Sequence, residues 1–378
     1  MANYRAAITP HFLAAIALAI GVSSVAQATP VGFLYDTGTY TLIDVPGSAF
    51  TYAYGINDGG QVVGVYNDGS SGGASNGYIY SGGSYTTLQV PGSTATYSYN
   101  INASGEVVGQ YSNGSTSYGF VYSGGTYTTI NPPGATYTGM GDINDSGEVA
   151  GYYSDGSTSH GFVYTGGSYT TLSPPGSTSS EAYGINSSGD VVGVYVNGSN
   201  TYGFLYSGGT YTTINPPGST YVNLTWGIND SGQLVGLYDD GSAKYGFLYD
   251  VGTGIYTTLE VPGALLTHAM DINESGEIVG WYDIMITEDI LNDEGMIISD
   301  THPRTYGFLY DTNTDIYTTL DVPGSTFTSA YRINASGQAV GDPTGAASPG
   351  PPSGVPEPST LVLAALGLAG LGWTRSRR

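Results

Sequence analysis

The chain contains no cysteine, only 7 Lys+Arg and only 4 His, and its apolar runs are short. Lacking cysteine, it has no disulfide framework, no thiolate metal site and no cysteine nucleophile. The histidines (His11, His160, His268, His302) are scattered, so they do not form the grouped imidazoles of a zinc site. His11 lies in the N-terminal leader, and the other three read as surface residues or stand-ins for tyrosine. So few cations cannot clamp a phosphate backbone, which excludes nucleic acid as a partner. No Gly-x-Ser-x-Gly elbow, His-Glu-x-x-His pair or Gly-x-x-x-x-Gly-Lys loop occurs.

What is present is unusual. The 378 residues include 60 Gly and 35 Tyr, with 30 Asp+Glu and a formal net charge of -23. High Gly and Pro content alone would suggest disorder. A 40% hydrophobic and 12% aromatic content argues instead for many short strands joined by tight turns.

Both ends read as addresses. Arg5, the apolar run Phe12 to Val22 and the small residues of Ala26-Gln27-Ala28 form a secretory signal peptide over 1–28, cut by signal peptidase between Ala28 and Thr29. A Gly/Pro/Ser-rich linker over 343–354 precedes a segment over 355–378. That segment holds Pro356-Glu357-Pro358, an apolar stretch from Leu361 to Trp373, and Arg375, Arg377 and Arg378. As a helix the stretch would reach roughly 20 Å. That is short of the ~20 residues of a permanent span, so it suits transient membrane contact with the arginines kept cytoplasmic. Motif, apolar helix and basic end together resemble the PEP-CTERM sorting domain of Gram-negative bacteria. The resemblance implies an exosortase as processing partner, with Pro356, Glu357 and Pro358 as its recognition motif. It also implies a place in the cell envelope or extracellular matrix, in an exopolysaccharide or biofilm setting.

Between the ends lies a repeat, which decides the fold before any secondary structure does. A Gly-aromatic-aliphatic-Tyr tetrad begins at Gly32, Gly77, Gly119, Gly161, Gly203, Gly246 and Gly307, at spacings of 45, 42, 42, 42, 43 and 61. After each tetrad come a Pro-Gly pair and then an Ile-Asn pair, whose asparagines run from Asn57 to Asn334. Each unit reads as four strands, for example Ala53 to Ile56, Gln61 to Tyr66, Gly77 to Tyr80 and Ser84 to Val90. The Asn and Gly of Asn57-Asp58-Gly59-Gly60 make a hairpin turn. Pro-Gly suits a type II turn.

Four antiparallel strands in this length is a propeller blade. The expected fold is all-β, a seven-bladed β-propeller over 29–342. One blade is closed jointly by the N-terminal strands Gly32 to Tyr35 and Tyr40 to Val45 and the C-terminal strands Ala330 to Ile333 and Gln338 to Gly341. The repeat resembles the HAF family of extracellular repeats, with His160-Gly161-Phe162 as the nearest form of its tripeptide, and its ordering is similar to kelch-type propellers.

For function, the long sixth spacing marks an acidic insert over 282–303, interleaved with Ile, Leu and Met. Its carboxylates Asp283, Asp289 and Asp293 would suit a partner-docking or Ca²⁺-organised lid, or simply an extended hairpin with a solvated rim. Asp68, Asn113, Asp155, Asn197 and Asp239 on repeated loops are candidates for hydrogen bonding to sugars. Most tyrosines, and the repeated asparagines, read as structural. No metal ligand set or catalytic pair stands out and no cofactor is expected. The sequence therefore points to a secreted, non-enzymatic binding or structural propeller for polysaccharide or extracellular protein. A propeller glycosidase or lyase and a passive surface-layer component are the alternatives. With the addresses removed, Lys244, Arg304 and Arg332 face 29 acids over 29–355, so a partner must be neutral, cationic or bridged by metal.

Overall fold

A computed structural model describes residues 30–69, 73–291, 297–344 and 362–364. The expected signal segment, the cleavage pair Ala28 and Thr29, the motif Pro356, Glu357 and Pro358, and Asp293 of the insert lie outside the described residues.

Each repeat folds as the alternation of turns and β-formers requires. Phe50–Ile56, Val62–Asn67, Ser75–Ser81 and Ser84–Leu88 pair in sequence order as one antiparallel sheet. Three further four-stranded sheets repeat this order over residues 95–130, 137–172 and 179–214. The rest form one sheet of thirteen strands. Its antiparallel quartets, over 221–259 and 266–320, pair with the following group through the single parallel bridges Lys244↔Leu266 and Thr305↔Phe327. Its last group joins the two chain ends. Phe327–Ile333 and Ala339–Thr344 pair with each other, Ala339–Gly341 pair with Phe33–Tyr35, and Gly32–Asp36 pair with Thr39–Ile43. Ala339–Thr344 runs into the expected linker by two residues.

The aromatic of every tetrad is fully buried: Phe33, Tyr78, Phe120, Phe162, Phe204, Phe247 and Phe308. Each packs between neighbouring sheets, as in the cluster of Val63, Leu88, Ile101, Val107 and Phe120. Both faces of a sheet are thus buried, so the strands are apolar on both sides without polar alternation. Sheets stacked face to face around an axis, with first and last strands in one sheet, make a β-propeller.

The innermost strand of a repeat carries a bulge. Register shifts occur between Ala53 and Gly55, Ser98 and Asn100, Met140 and Asp142, Ala182 and Gly184, Ala269 and Asp271, and Ala330 and Arg332. A bulge inserts one residue and re-aims the side chains beside it. Opposite it, the second strand has glycine for a steric reason. A Cβ on Gly64 would lie 1.8 Å from the Tyr52 carbonyl oxygen. Gly64→Ala should cost about 3 kcal/mol in urea unfolding. Gly252→Ala, whose Cβ meets nothing nearer than 3.5 Å, should change little. Equal midpoints for the two variants would refute the steric argument.

One expectation needs correction. The apolar C-terminal stretch was expected to be helical. Its described part, Val362–Ala364, is instead a strand paired with Thr39–Thr41. Thr39–Ile43 is an outer edge whose N–H and C=O groups pair readily with a further strand. The insert takes the extended-hairpin form. Glu277–Leu291 pairs with Ile297–Asp311 without a break through Leu291↔Ile297. It rises beside the Pro262-Gly263 turn, where the Leu265 N–H donates to the Asp283 carbonyl at 2.6 Å.

Candidate functional site

The invariant asparagines build one end of the axis. Each Oδ1 accepts the N–H of the residue four positions on, at 2.8–2.9 Å, which closes the turn. Each Nδ2 also donates to the carbonyl of the next repeat's asparagine at 3.0–3.2 Å. The chain of bonds runs Asn57, Asn102, Asn144, Asn186, Asn229, Asn273, Asn334 and back to Asn57, a closed ring. The structural reading of these residues anticipated the turn but not the ring. Their constancy is the signal: a turn alone also tolerates Asp, Ser or Gly, whereas an amide accepts at its oxygen and donates from a separate nitrogen at once.

Variation among the repeats marks the other functional positions. The two residues before each Ile-Asn are Tyr54-Gly55, Tyr99-Asn100, Gly141-Asp142, Tyr183-Gly184, Trp226-Gly227, Met270-Asp271 and Tyr331-Arg332. The bulge lies at these positions in six of the repeats, and Tyr54, Tyr99, Asn100, Gly141, Asp142, Tyr183, Asp271, Tyr331 and Arg332 among them line the axis. Asn100, Asp142, Asp271 and Arg332 border a polar vestibule of about 270 Å³ on the side of the asparagine ring. Tyr54, Tyr99, Tyr137, Tyr152, Tyr183 and Tyr331 wall a second cavity of about 290 Å³ toward the start of the same strands, where Gly139 and Gly141 leave room. Arg332 borders both cavities.

Arg332 is the pivot of a buried charge group. Its Nη1 lies 3.4 Å from Asp142 and 3.6 Å from Asp271. Asp142 also accepts from Asn100, and Asp271 from the Ile333 N–H at 3.1 Å. Burial pushes the Asp271 carboxyl up to about 6, against the lowering pull of Arg332. Asp342, buried next to Tyr54 and Tyr331, is held well above the carboxylate range by burial, offset in part by the Ala53 N–H.

The tyrosine wall is ordered. Tyr54 sits 6.0 Å from Tyr99 and 6.2 Å from Tyr331, ring centre to ring centre. Tyr152 meets Tyr183 edge-on at 6.1 Å. The Tyr99 hydroxyl donates to Gln110 Oε1 at 3.1 Å, while Gln110 Nε2 donates to the Thr138 carbonyl at 3.0 Å, so ring and amide lock each other. The Tyr183 hydroxyl donates to Glu181. Burial raises the phenols of Tyr54, Tyr99, Tyr152, Tyr183 and Tyr331, which stay protonated and able to donate at neutral pH. Aromatic faces with convergent hydroxyls stack on a ring and hydrogen-bond its rim.

The loop candidates are not brought together. Asn113 Oδ1 caps its own turn, accepting from the N–H groups of Ser115 and Thr116. Asp155 does the same for Ser157 and Thr158 and also meets His160, and these bonds hold its carboxyl below the usual range. Asp239 accepts from the Gly241 N–H, and Asn197 pairs across its hairpin with Asn200. Asp68 lies on an exposed loop. The side chains of Asn113, Asp155 and Asp239 serve the turns between second and third strands, away from the axial cavity, because a short polar turn needs its own cap.

In the insert, Asp283 accepts from Thr305 and Asp289 from the Ser299 hydroxyl, at separate points along the hairpin. No group of three or more His, Cys, Asp or Glu among the described residues could hold a metal ion. His302 is half-buried on the hairpin beside Asp300, and His268 is half-buried, edge-on to Trp281 at 5.3 Å. The burial of His268, with its ring lowered to about 4, corrects the surface reading but keeps the tyrosine-like one, since it aligns with Tyr52 and Tyr97.

Comparison with solved structures supports the fold. The β-propeller domain of the trilobed protease from Pyrococcus furiosus is similar over 78% of this chain and 95% of its own, with TM-score 0.51 and 10% identity. Virginiamycin B lyase from Staphylococcus aureus aligns over 82% and 99%, with TM-score 0.46 and 14% identity. No curated protein matches the sequence. Residues 354–378 match the PEP-CTERM protein-sorting motif, which marks an exported protein of a Gram-negative cell envelope or its surroundings, processed by an exosortase.

Proposed function

We propose that this is a seven-bladed propeller over 29–342 that binds polysaccharide without cleaving it, delivered outside the cell between a signal peptide over 1–28 and the sorting segment over 355–378. The closed ring of asparagines, one per repeat, supports the blade count. The observation that carries the binding reading is the tyrosine-walled axial cavity with Arg332 and Gln110 at its border. It is the place where the repeats abandon their consensus and the backbone bulges to present side chains, and its rings and hydroxyls suit a sugar. Asp142 and Asp271 are engaged by Arg332, which argues against their use as a hydrolytic pair.

A glycan array probed with the mature propeller tests this. Retention without product release is expected. Tyr54→Ala/Tyr331→Ala should weaken retention by at least about tenfold, while a chain lacking 283–300 should retain it. Release of shortened saccharide would favour the glycosidase or lyase alternative. No retention on any glycan would favour a passive surface-layer role.

A further inference from the structure

The axial cavity is blind, and this decides which part of a polysaccharide it accepts. Its walls come from Tyr137 to Gly141 of one inner strand, from Tyr54, Tyr99, Tyr183 and Tyr331 of four others and from Gln110 and Tyr152 of second strands, and the vestibule from the last residues of the inner strands and the asparagine turns. Between the two lies the layer Asn100, Asp142, Arg332 and Asp271, bonded across the axis from four different inner strands. Arg332, 7% exposed, faces both spaces, so the ion group is a floor and not the lining of an open channel. A chain cannot thread such a site. An internal segment would also need two exits, and the floor closes one of them.

Size and charge narrow the ligand further. About 290 Å³ lies at the lower edge of the ~300–1,000 Å³ of small-molecule sites, room for about one sugar ring. Around it stand Glu181, on the Tyr183 hydroxyl, and the carboxyls of Asp142 and Asp271, against the single guanidinium of Arg332. In a chain of net charge -23, an anionic terminal residue would enter against the field.

From these features we infer that the cavity recognises the free end of an uncharged polysaccharide, taking in one terminal ring stacked on Tyr54, Tyr99 and Tyr331, with the rest of the chain leaving past Tyr137. This rests on the saccharide-binding reading above and sharpens it to end recognition.

The test is an array on which each neutral oligosaccharide is printed twice. One copy is tethered through its reducing end with the other terminus free. The second is tethered the same way with that terminus capped by a bulky ether. Spots ending in a uronic acid or a sulfated sugar are included. The mature propeller should hold free-ended neutral spots at least about tenfold more strongly than their capped copies, and should leave anionic ends blank. Tyr137→Ala, altered at a position 36% exposed where folding is safe, should lower the signal of longer chains more than that of monosaccharides. Equal signals from free and capped copies would overturn end recognition while leaving saccharide binding intact. Capture of anionic ends would overturn the charge argument. Absence of signal on every neutral spot would overturn the underlying reading and the inference with it.

Discussion

Arg332→Ala should lose about 3–5 kcal/mol of unfolding free energy at neutral pH, because it leaves two buried carboxylates facing each other without their cation. Asp142 and Asp271 are each within 3.6 Å of the guanidinium, and both are 6–7% exposed. The deficit should shrink with acid. Burial already lifts the Asp271 carboxyl to about 6 in the intact protein, and Arg332 is what holds it down. A carboxyl whose folded value lies above its unfolded value penalises the fold above that value, and the penalty is relieved as pH falls through the folded value toward the unfolded one. Without Arg332 the folded value rises further, so the variant should regain stability from about pH 7 downward over a wider range than the parent. Urea titrations of both proteins across this range measure it. Removing all three charges together, as Asp142→Asn/Asp271→Asn/Arg332→Met, should cost far less than the single change, since no charge is then stranded. A small deficit for Arg332→Ala that does not vary with pH would show that the guanidinium neutralises nothing.

A chain lacking residues 29–48 should fail to melt cooperatively. The deletion removes Gly32–Asp36 and Thr39–Ile43, leaving the C-terminal hairpin Phe327–Ile333 and Ala339–Thr344 as half a sheet. Fully buried Phe33 and Ile43 vanish from two separate interblade clusters. Each such loss costs about 2–5 kcal/mol, and two of them approach the whole ~5–15 kcal/mol stability of a domain. Also lost are the bond from the Asp321 N–H to the Tyr40 hydroxyl and the pairing of Phe33–Tyr35 with Ala339–Gly341. A ring, unlike an open array, cannot shed one element and keep the remainder closed. Calorimetry should show a broad, low-enthalpy transition, restored when a 29–48 peptide is added. An unchanged sharp melt would mean that the ends do not hold the ring together.

Much of the fold was legible because each repeat states it again. The tetrad gave the third strand and its buried aromatic, and Pro-Gly and Ile-Asn gave the turns, all local chemistry of a few adjacent residues. The site was only half legible. Tyr54, Tyr99 and Tyr331 stand in strands already rich in tyrosine, so nothing in their own neighbourhood separates a cavity wall from a packed core. The loop residues Asn113 and Asp155 looked exposed and polar enough to bind sugar, yet their oxygens are committed to their own turns. The better signal was departure from the repeat, at the pair of positions before each Ile-Asn.

The sequence by itself determined the periodic sheets, the net acidity and the C-terminal sorting address, because these follow from composition and short-range pattern. Only the tertiary structure decided the blind axial cavity. Arg332 and Asp142 stand 190 positions apart and meet because the chain returns on itself. A bulge, invisible in residue type, turns the side chains around them toward the axis. Whether a charge is a solvated surface group or the floor of a binding site depends on what closes over it, and ring closure settles that only once all the repeats are in place.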